Sequence, residues 1–120
     1  LSTLALVDVN ADHRLDIVVI NSQWNEVAVL INTNGGEFFI GSRYSTGARS
    51  HPYSLALDDF NNDDILDIAV ANSGTNNILL LSGHGNGTFD NGTIYPIRYD
   101  CQPYSIAAAD LNQDSWLDII

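Results

Sequence analysis

The residues best suited to chemistry in this chain are aspartates set at fixed intervals. Three nine-residue segments, 8–16, 59–67 and 110–118, each read Asp-x-Asn-x-Asp-x-x-x-Asp, and each lies 51 residues after the one before. The candidate metal ligands are Asp8, Asn10, Asp12 and Asp16, then Asp59, Asn61, Asp63 and Asp67, then Asp110, Asn112, Asp114 and Asp118. The positions between them vary from copy to copy: Val9, Phe60 and Leu111 at the second, His13, Asp64 and Ser115 at the sixth. Duplication alone would blur every position alike, so oxygen-bearing residues kept against a varied background point to something they hold.

Short carboxylates at alternate positions of a tight loop converge on one point, and calcium takes six to eight oxygens at about 2.3–2.6 Å. A main-chain carbonyl at the seventh position would complete the shell, which assigns Arg14, Ile65 and Trp116 by backbone and leaves their side chains free to vary. Up to three Ca2+ are therefore expected. Magnesium dehydrates reluctantly and seldom uses such an all-protein cage, and zinc would want a Cys/His cluster that this sequence lacks. The plain alternative is a row of Asx turns, with each carboxylate capping its own backbone. A capping turn needs one such group, however, and three clustered carboxylates repel one another.

Loops of this kind need rigid strands on either side, and the chain supplies them at the same period. Aligned with itself at an offset of 51, it needs no gap. Leu4-Ala5-Leu6 falls on Leu55-Ala56-Leu57, Asn21-Ser22 on Asn72-Ser73, Gly41 on Gly92, and Pro52 on Pro103. Segments 53–69 and 104–120 agree at 9 of 17 positions, too many for unrelated stretches. The organisation is one repeat domain: repeat 1 over 1–52, repeat 2 over 53–103 and a partial repeat 3 over 104–120. In repeat 2, residues 54–57 are expected to enter the acidic loop as a strand and 66–71 to leave it as a second. A turn at 72–77 leads to an apolar third strand, 78–81, read as buried on both faces. The glycine-rich turn 83–87 precedes a weaker fourth strand, 93–97, which Pro96 places at a sheet edge. Four short strands per 40–50 residues make an all-β, four-stranded antiparallel propeller blade.

Composition agrees with this reading. The chain has 13 Asp against 2 Glu, four Lys plus Arg, and a formal net charge of -11. Glu suits helices and Asp suits turns, so the acidity belongs to loops. Nucleic acid is excluded as a partner, because phosphate binding needs Lys and Arg. Three calcium ions would add six charges and leave -5 from the formal -11. No run is long enough for a membrane helix. The lone Cys101 cannot form a disulfide within the chain and is read as a packing residue, an intermolecular bond being the alternative. The chain opens on Leu1, from which it is expected to be a processed product or a window of a longer protein.

The loop Asp-x-Asn-x-Asp-x-x-Leu-Asp-Ile after an apolar strand, with the Gly-Asn-Gly-Thr-Phe turn at 85–89, resembles the FG-GAP/VCBS repeat family, the blades of the integrin α-type β-propeller. The resemblance covers the whole chain. It implies a four-stranded blade with calcium in the hairpin between its first two strands, and extracellular work in adhesion, recognition or scaffolding. The sequence departs from the family at the sixth loop position, where Gly is usual and His13, Asp64 and Ser115 stand instead. Two and a third blades cannot close a propeller of four to eight. Either further blades complete it, or copies join head to tail into an open array or filament.

The expected function is a secreted or cell-surface, calcium-stabilised module for adhesion or structural scaffolding, without enzymatic activity. Its expected partners are other repeats, copies of the same chain, or an extracellular protein or glycan. The alternatives are a carbohydrate-binding propeller and a non-catalytic domain of a secreted enzyme. Trp24, in the turn after the second strand, could stack on a sugar, although blade packing is the favoured reading. Asn86 and Asn91 open N-x-Thr sequons for N-glycosylation, in numbers that this Asn-rich composition yields by chance. His13, His51 and His84 are scattered and form neither a metal nor a triad pattern.

Overall fold

The computed structural model describes residues 3–34, 36–90 and 92–97, and residues 103, 105, 106, 108, 109, 113, 114, 118 and 119 of the third repeat. Repeat 1 forms strands β1 (Leu4–Val7), β2 (Asp16–Asn21), β3 (Glu26–Asn32) and β4 (Phe38–Ser45). Repeat 2 forms β5 (Pro52–Asp58), β6 (Asp67–Asn72), β7 (Asn77–Leu81) and β8 (Thr93–Pro96). Each set is one antiparallel sheet in simple sequential order, a four-stranded blade. A short pair, β9 (Ala108–Ala109) with β10 (Asp118–Ile119), begins the third. Among the described residues there is no helix, and therefore none long and apolar enough to cross a membrane. The blades stand in an open arrangement and close no barrel.

The register repeats with the sequence. In blade 1 Val7 pairs Asp16, in blade 2 Asp58 pairs Asp67, and in the third repeat Ala109 pairs Asp118. The last aspartate of each acidic loop is thus the first residue of a strand. At the far end of the same hairpin pair, Asn25 and Asn76 take left-handed φ of 52° and 56° to close the turn between second and third strands. Asparagine accepts that conformation more readily than most residues. Pro96 ends β8 at the sheet edge, as proline's missing donor requires. The third strand differs from expectation. Leu79 and Leu81 are buried, but Ile78 and Leu80, on the face that packs with Ile106 of the third repeat, are only half-buried.

The blades pack face to face through alternating apolar residues. Val9, Val18, Ile20, Val27 and Val29 of blade 1 meet Leu55, Ile68, Val70, Leu79, Leu81 and Phe89 of blade 2 in one core. Burying a side chain of this size contributes about 1.5–3 kcal/mol, so this shared core is the main force between blades. Ala69 and Ala71, on the other face of blade 2, pack with Ile106 of the third repeat. Polar ties reinforce the first contact. Thr3 Oγ1 donates to the Tyr53 carbonyl at 2.9 Å, and Ser22 Oγ to the Pro52 carbonyl at 2.6 Å. The Phe89 N–H donates to the Tyr44 hydroxyl at 2.7 Å, while the two rings meet edge to face with centroids 5.8 Å apart.

Candidate metal centre

Each acidic loop joins the first two strands of its blade, and its aspartates are oriented by backbone N–H groups. In the first loop Asp8 accepts from Asp12 N at 3.2 Å and His13 N at 2.8 Å. Asn10 Oδ1 accepts from Asp12 N at 3.3 Å, and Asp12 Oδ1 from Arg14 N at 2.9 Å. The second loop repeats this at the offset of 51. Asp59 accepts from Asp63 N and Asp64 N at 3.1 and 2.8 Å, Asn61 from Asp63 N at 3.3 Å, and Asp63 from Ile65 N at 2.9 Å. Matching distances in two loops with different intervening residues show that the ligand positions and the backbone set this geometry.

The ninth-position aspartates of the first two loops, Asp16 and Asp67, are fully buried and do more than anchor the loop to its strand. Asp16 accepts from Val9 N at 3.0 Å and from Asn32 N at 2.9 Å; Asp67 accepts from Phe60 N at 2.9 Å and Gly83 N at 2.8 Å. Each carboxylate therefore ties the start of its loop to the end of the third strand. Gly83 must be glycine for this approach, since a Cβ there would run into the Leu66 carbonyl.

The structure brings Asp8, Asp12 and Asp16 together, and Asp59, Asp63 and Asp67 together, with one carboxylate oxygen from each within 4.8 Å of the others. Oxygens about 2.3–2.6 Å from a common centre lie at most about 4.6–5.2 Å apart, so three such oxygens fit the first shell of a calcium-sized cation. A carboxylate oxygen has two lone pairs and can accept an N–H while facing a cation. These triads can hold a metal ion, and hard oxygen donors suit calcium. Desolvation pulls the Asp8 carboxyl upward, and the N–H groups of His13, Asp12, Asn10 and Ala11 outweigh it, holding it below the ordinary 3.8. Asp59 is held down in the same way, against desolvation, by the N–H groups of Asp64, Asp63, Asn62 and Asn61.

In the third loop, Asp110, Asn112 and Trp116 lie outside the described residues, as does Asn91 of the second sequon. Asp114 is exposed and Asp118 begins β10. Gln113 has φ 59°, matching 60° at Ala11 and 59° at Asn62, so the loop backbone takes the same course at this position in all three copies. The sixth position is left-handed too, at 65° for His13 and 63° for Asp64, which accounts for the glycine usual there. The left-handed fourth position is a feature that the sequence reading missed. Ala11, Asn62 and Gln113 share no residue type that would mark it. Trp24 is not packed between the two described blades. It is 64% exposed and lines an open cavity with Gln23, Glu26, Arg43 and Ile40.

No curated protein matches the chain significantly. A family model described as the FG-GAP-like repeat matches twice, over residues 8–70 and 59–120, each match running from the first aspartate of one acidic loop through the whole of the next. With blade topology, loop position and family model in agreement over nearly its full length, the chain belongs to the FG-GAP-like repeat family.

Proposed function

We propose that this chain is a calcium-stabilised, non-enzymatic, extracellular repeat module serving adhesion or structural scaffolding. The observation that carries the reading is the pair of aspartate triads, each oriented by backbone N–H groups around a calcium-sized space. When bound, the ion supplies charge compensation and a cross-link between loop and strand. The chain's own residues place the oxygens and hold the loop ends to the third strand. Supporting the scaffolding part is the outward face of blade 1. Leu4 and Leu6 there are 57% and 58% exposed, whereas their repeat-2 counterparts Leu55 and Leu57 are, respectively, buried in and half-buried against the core shared with blade 1. A face that is covered by a blade in one repeat and open in the next is suited to receive another blade, from further repeats or from a copy of the chain.

Thermal unfolding with calcium and with EDTA tests the metal. One site at a hundredfold excess of ligand over Kd contributes about 2.7 kcal/mol, or on the order of 10 °C at roughly 4 °C per kcal/mol for a domain of this size. An unchanged midpoint refutes the calcium role. Sedimentation over a range of concentrations tests assembly, and a monomer throughout refutes head-to-tail association of copies.

A second reading, carbohydrate binding, is favoured by Trp24. Its exposed ring borders a cavity of about 420 Å³ that also presents Asn21, Gln23, Glu26 and Arg43. Such a mix of an aromatic face and polar groups suits a sugar. A glycan array without any signal refutes this reading.

A further inference from the structure

The Asn86-Gly87-Thr88 sequon sits on a turn between β7 and β8 whose geometry is fixed from both sides. Gly83 and Phe89 form a bridge across it, and His84 N donates to the Thr88 carbonyl at 3.0 Å. Gly87 is buried with φ +89°, and a Cβ on it would lie 3.1 Å from Ile31 Cδ1 and 3.7 Å from Asn10 Cβ and Val9 Cγ2. Its carbonyl accepts from Ser42 Oγ at 3.4 Å. The middle residue of the sequon is therefore pressed against blade 1, while Asn86 and Thr88 on either side of it are exposed.

The side-chain amide of Asn86 is oriented as well. Its Oδ1 faces the Thr88 N–H at 3.0 Å and the Thr88 hydroxyl at 2.6 Å. A backbone N–H can only donate, so the atom facing it must be the amide oxygen. The amide nitrogen Nδ2 lies on the other side of the group, on an exposed residue, and no hydrogen bond among the described residues engages it.

We infer that Asn86 is an N-linked glycan acceptor, and that the turn is built to carry the modified side chain without disturbing the blade. This rests on the extracellular reading above, since the transfer requires entry into the secretory path. The co-reactant is a lipid-pyrophosphate-linked oligosaccharide. A bond forms between Nδ2 and C1 of its first sugar, and the C1–O bond to the pyrophosphate breaks. The lipid pyrophosphate leaves, one amide proton is lost, and no electrons are exchanged. Transfer meets the chain before it folds; the folded turn then has to accept the product. Of the sequon's three residues Gly87 is the buried one and Asn86 and Thr88 are exposed, so a glycan on Asn86 extends into solvent.

The test is expression of the full chain behind a cleavable leader in eukaryotic cells. Occupancy is read on total cell and medium protein by deglycosylation in heavy-oxygen water, which marks an occupied site as Asn86→Asp with an added isotope. The expected result is modification at Asn86 that persists in Asn91→Gln and is lost in both Asn86→Gln and Thr88→Ala. An unmodified Asn86 overturns the inference, whether or not Asn91 carries a glycan. Since this readout does not depend on calcium, it fails or succeeds separately from the melting experiment. Whether the native protein enters the secretory path is read independently, by its recovery outside the cell.

Discussion

Replacing Asp67 separates two roles that the acidic loops combine. Asp67 is fully buried, and its two oxygens take the N–H groups of Phe60 and Gly83 at 2.9 and 2.8 Å. Asp67→Ala leaves two donors without an acceptor, the Gly83 N–H buried and the Phe60 N–H part-buried. Each such loss costs about 1–3 kcal/mol, so the sum is about 2–6 kcal/mol. That is a large part of the 5–15 kcal/mol typical of a folded domain. This loss should appear in EDTA, with no metal present. Asp63 is exposed, and its Oδ1 accepts from Ile65 N within the loop, at 2.9 Å. Asp63→Asn keeps an oxygen for that bond and should stay within about 0.5 kcal/mol of the parent in EDTA, as surface substitutions do. In calcium it should lose the increment of the second site. Urea denaturation of the parent and both variants, in EDTA and in calcium, measures each of these differences. The reasoning fails if Asp67→Ala matches the parent in EDTA, or if Asp63→Asn is as damaging there as Asp67→Ala.

Three further outcomes follow from the loops and the blade contact. Ala11→Gly should stabilise the first loop by up to about 1 kcal/mol, because the left-handed conformation costs alanine about 1–2 kcal/mol and glycine's extra chain entropy returns only about 0.5–1; His13→Gly should act alike, and calcium titration should show tighter binding in both. Tyr44→Phe removes the acceptor of the Phe89 N–H while keeping the edge-to-face rings, and should cost about 1–3 kcal/mol in urea denaturation with the calcium affinity unchanged. Asp8 and Asp59 have folded pKa values below the 3.8 of the unfolded chain, so their contribution is fully present above that value and is lost as pH falls through the lower folded ones. Denaturation midpoints in EDTA should therefore be insensitive to these groups near neutrality and fall below about pH 4.

Much of this was legible because the repeat is gapless. The offset of 51 located both blades, all three acidic loops and the edge strand at Pro96. Sequence could not show the second task of Asp16 and Asp67, since the acceptors' partners Asn32 and Gly83 lie 16 residues further on and differ in type. The left-handed fourth position escaped for a related reason: hydrogen bonds from the following backbone to Asp8 and Asp59 impose it, whatever side chain stands there. The Tyr44–Phe89 contact joins residues 45 apart, close to the period but not equal to it, so self-alignment sets each beside a different residue. The surroundings of Trp24 were not legible either, because a turn position says nothing of whether a neighbouring blade reaches over it.

The sequential order of strands within each sheet bears on how such a protein can change its length. Every strand ladder among the described residues lies within one blade, and blades meet through side chains and a few tethers. A recombination break in the connection between β4 and β5, residues 46–51, would sever no ladder. Copies cut and rejoined at that phase would gain or lose whole blades, each arriving with its own acidic loop and with faces already shaped for its neighbours. The gapless period of 51 is the record such a process would leave. Blade number can therefore drift between related genes while the local chemistry of every loop stays the same.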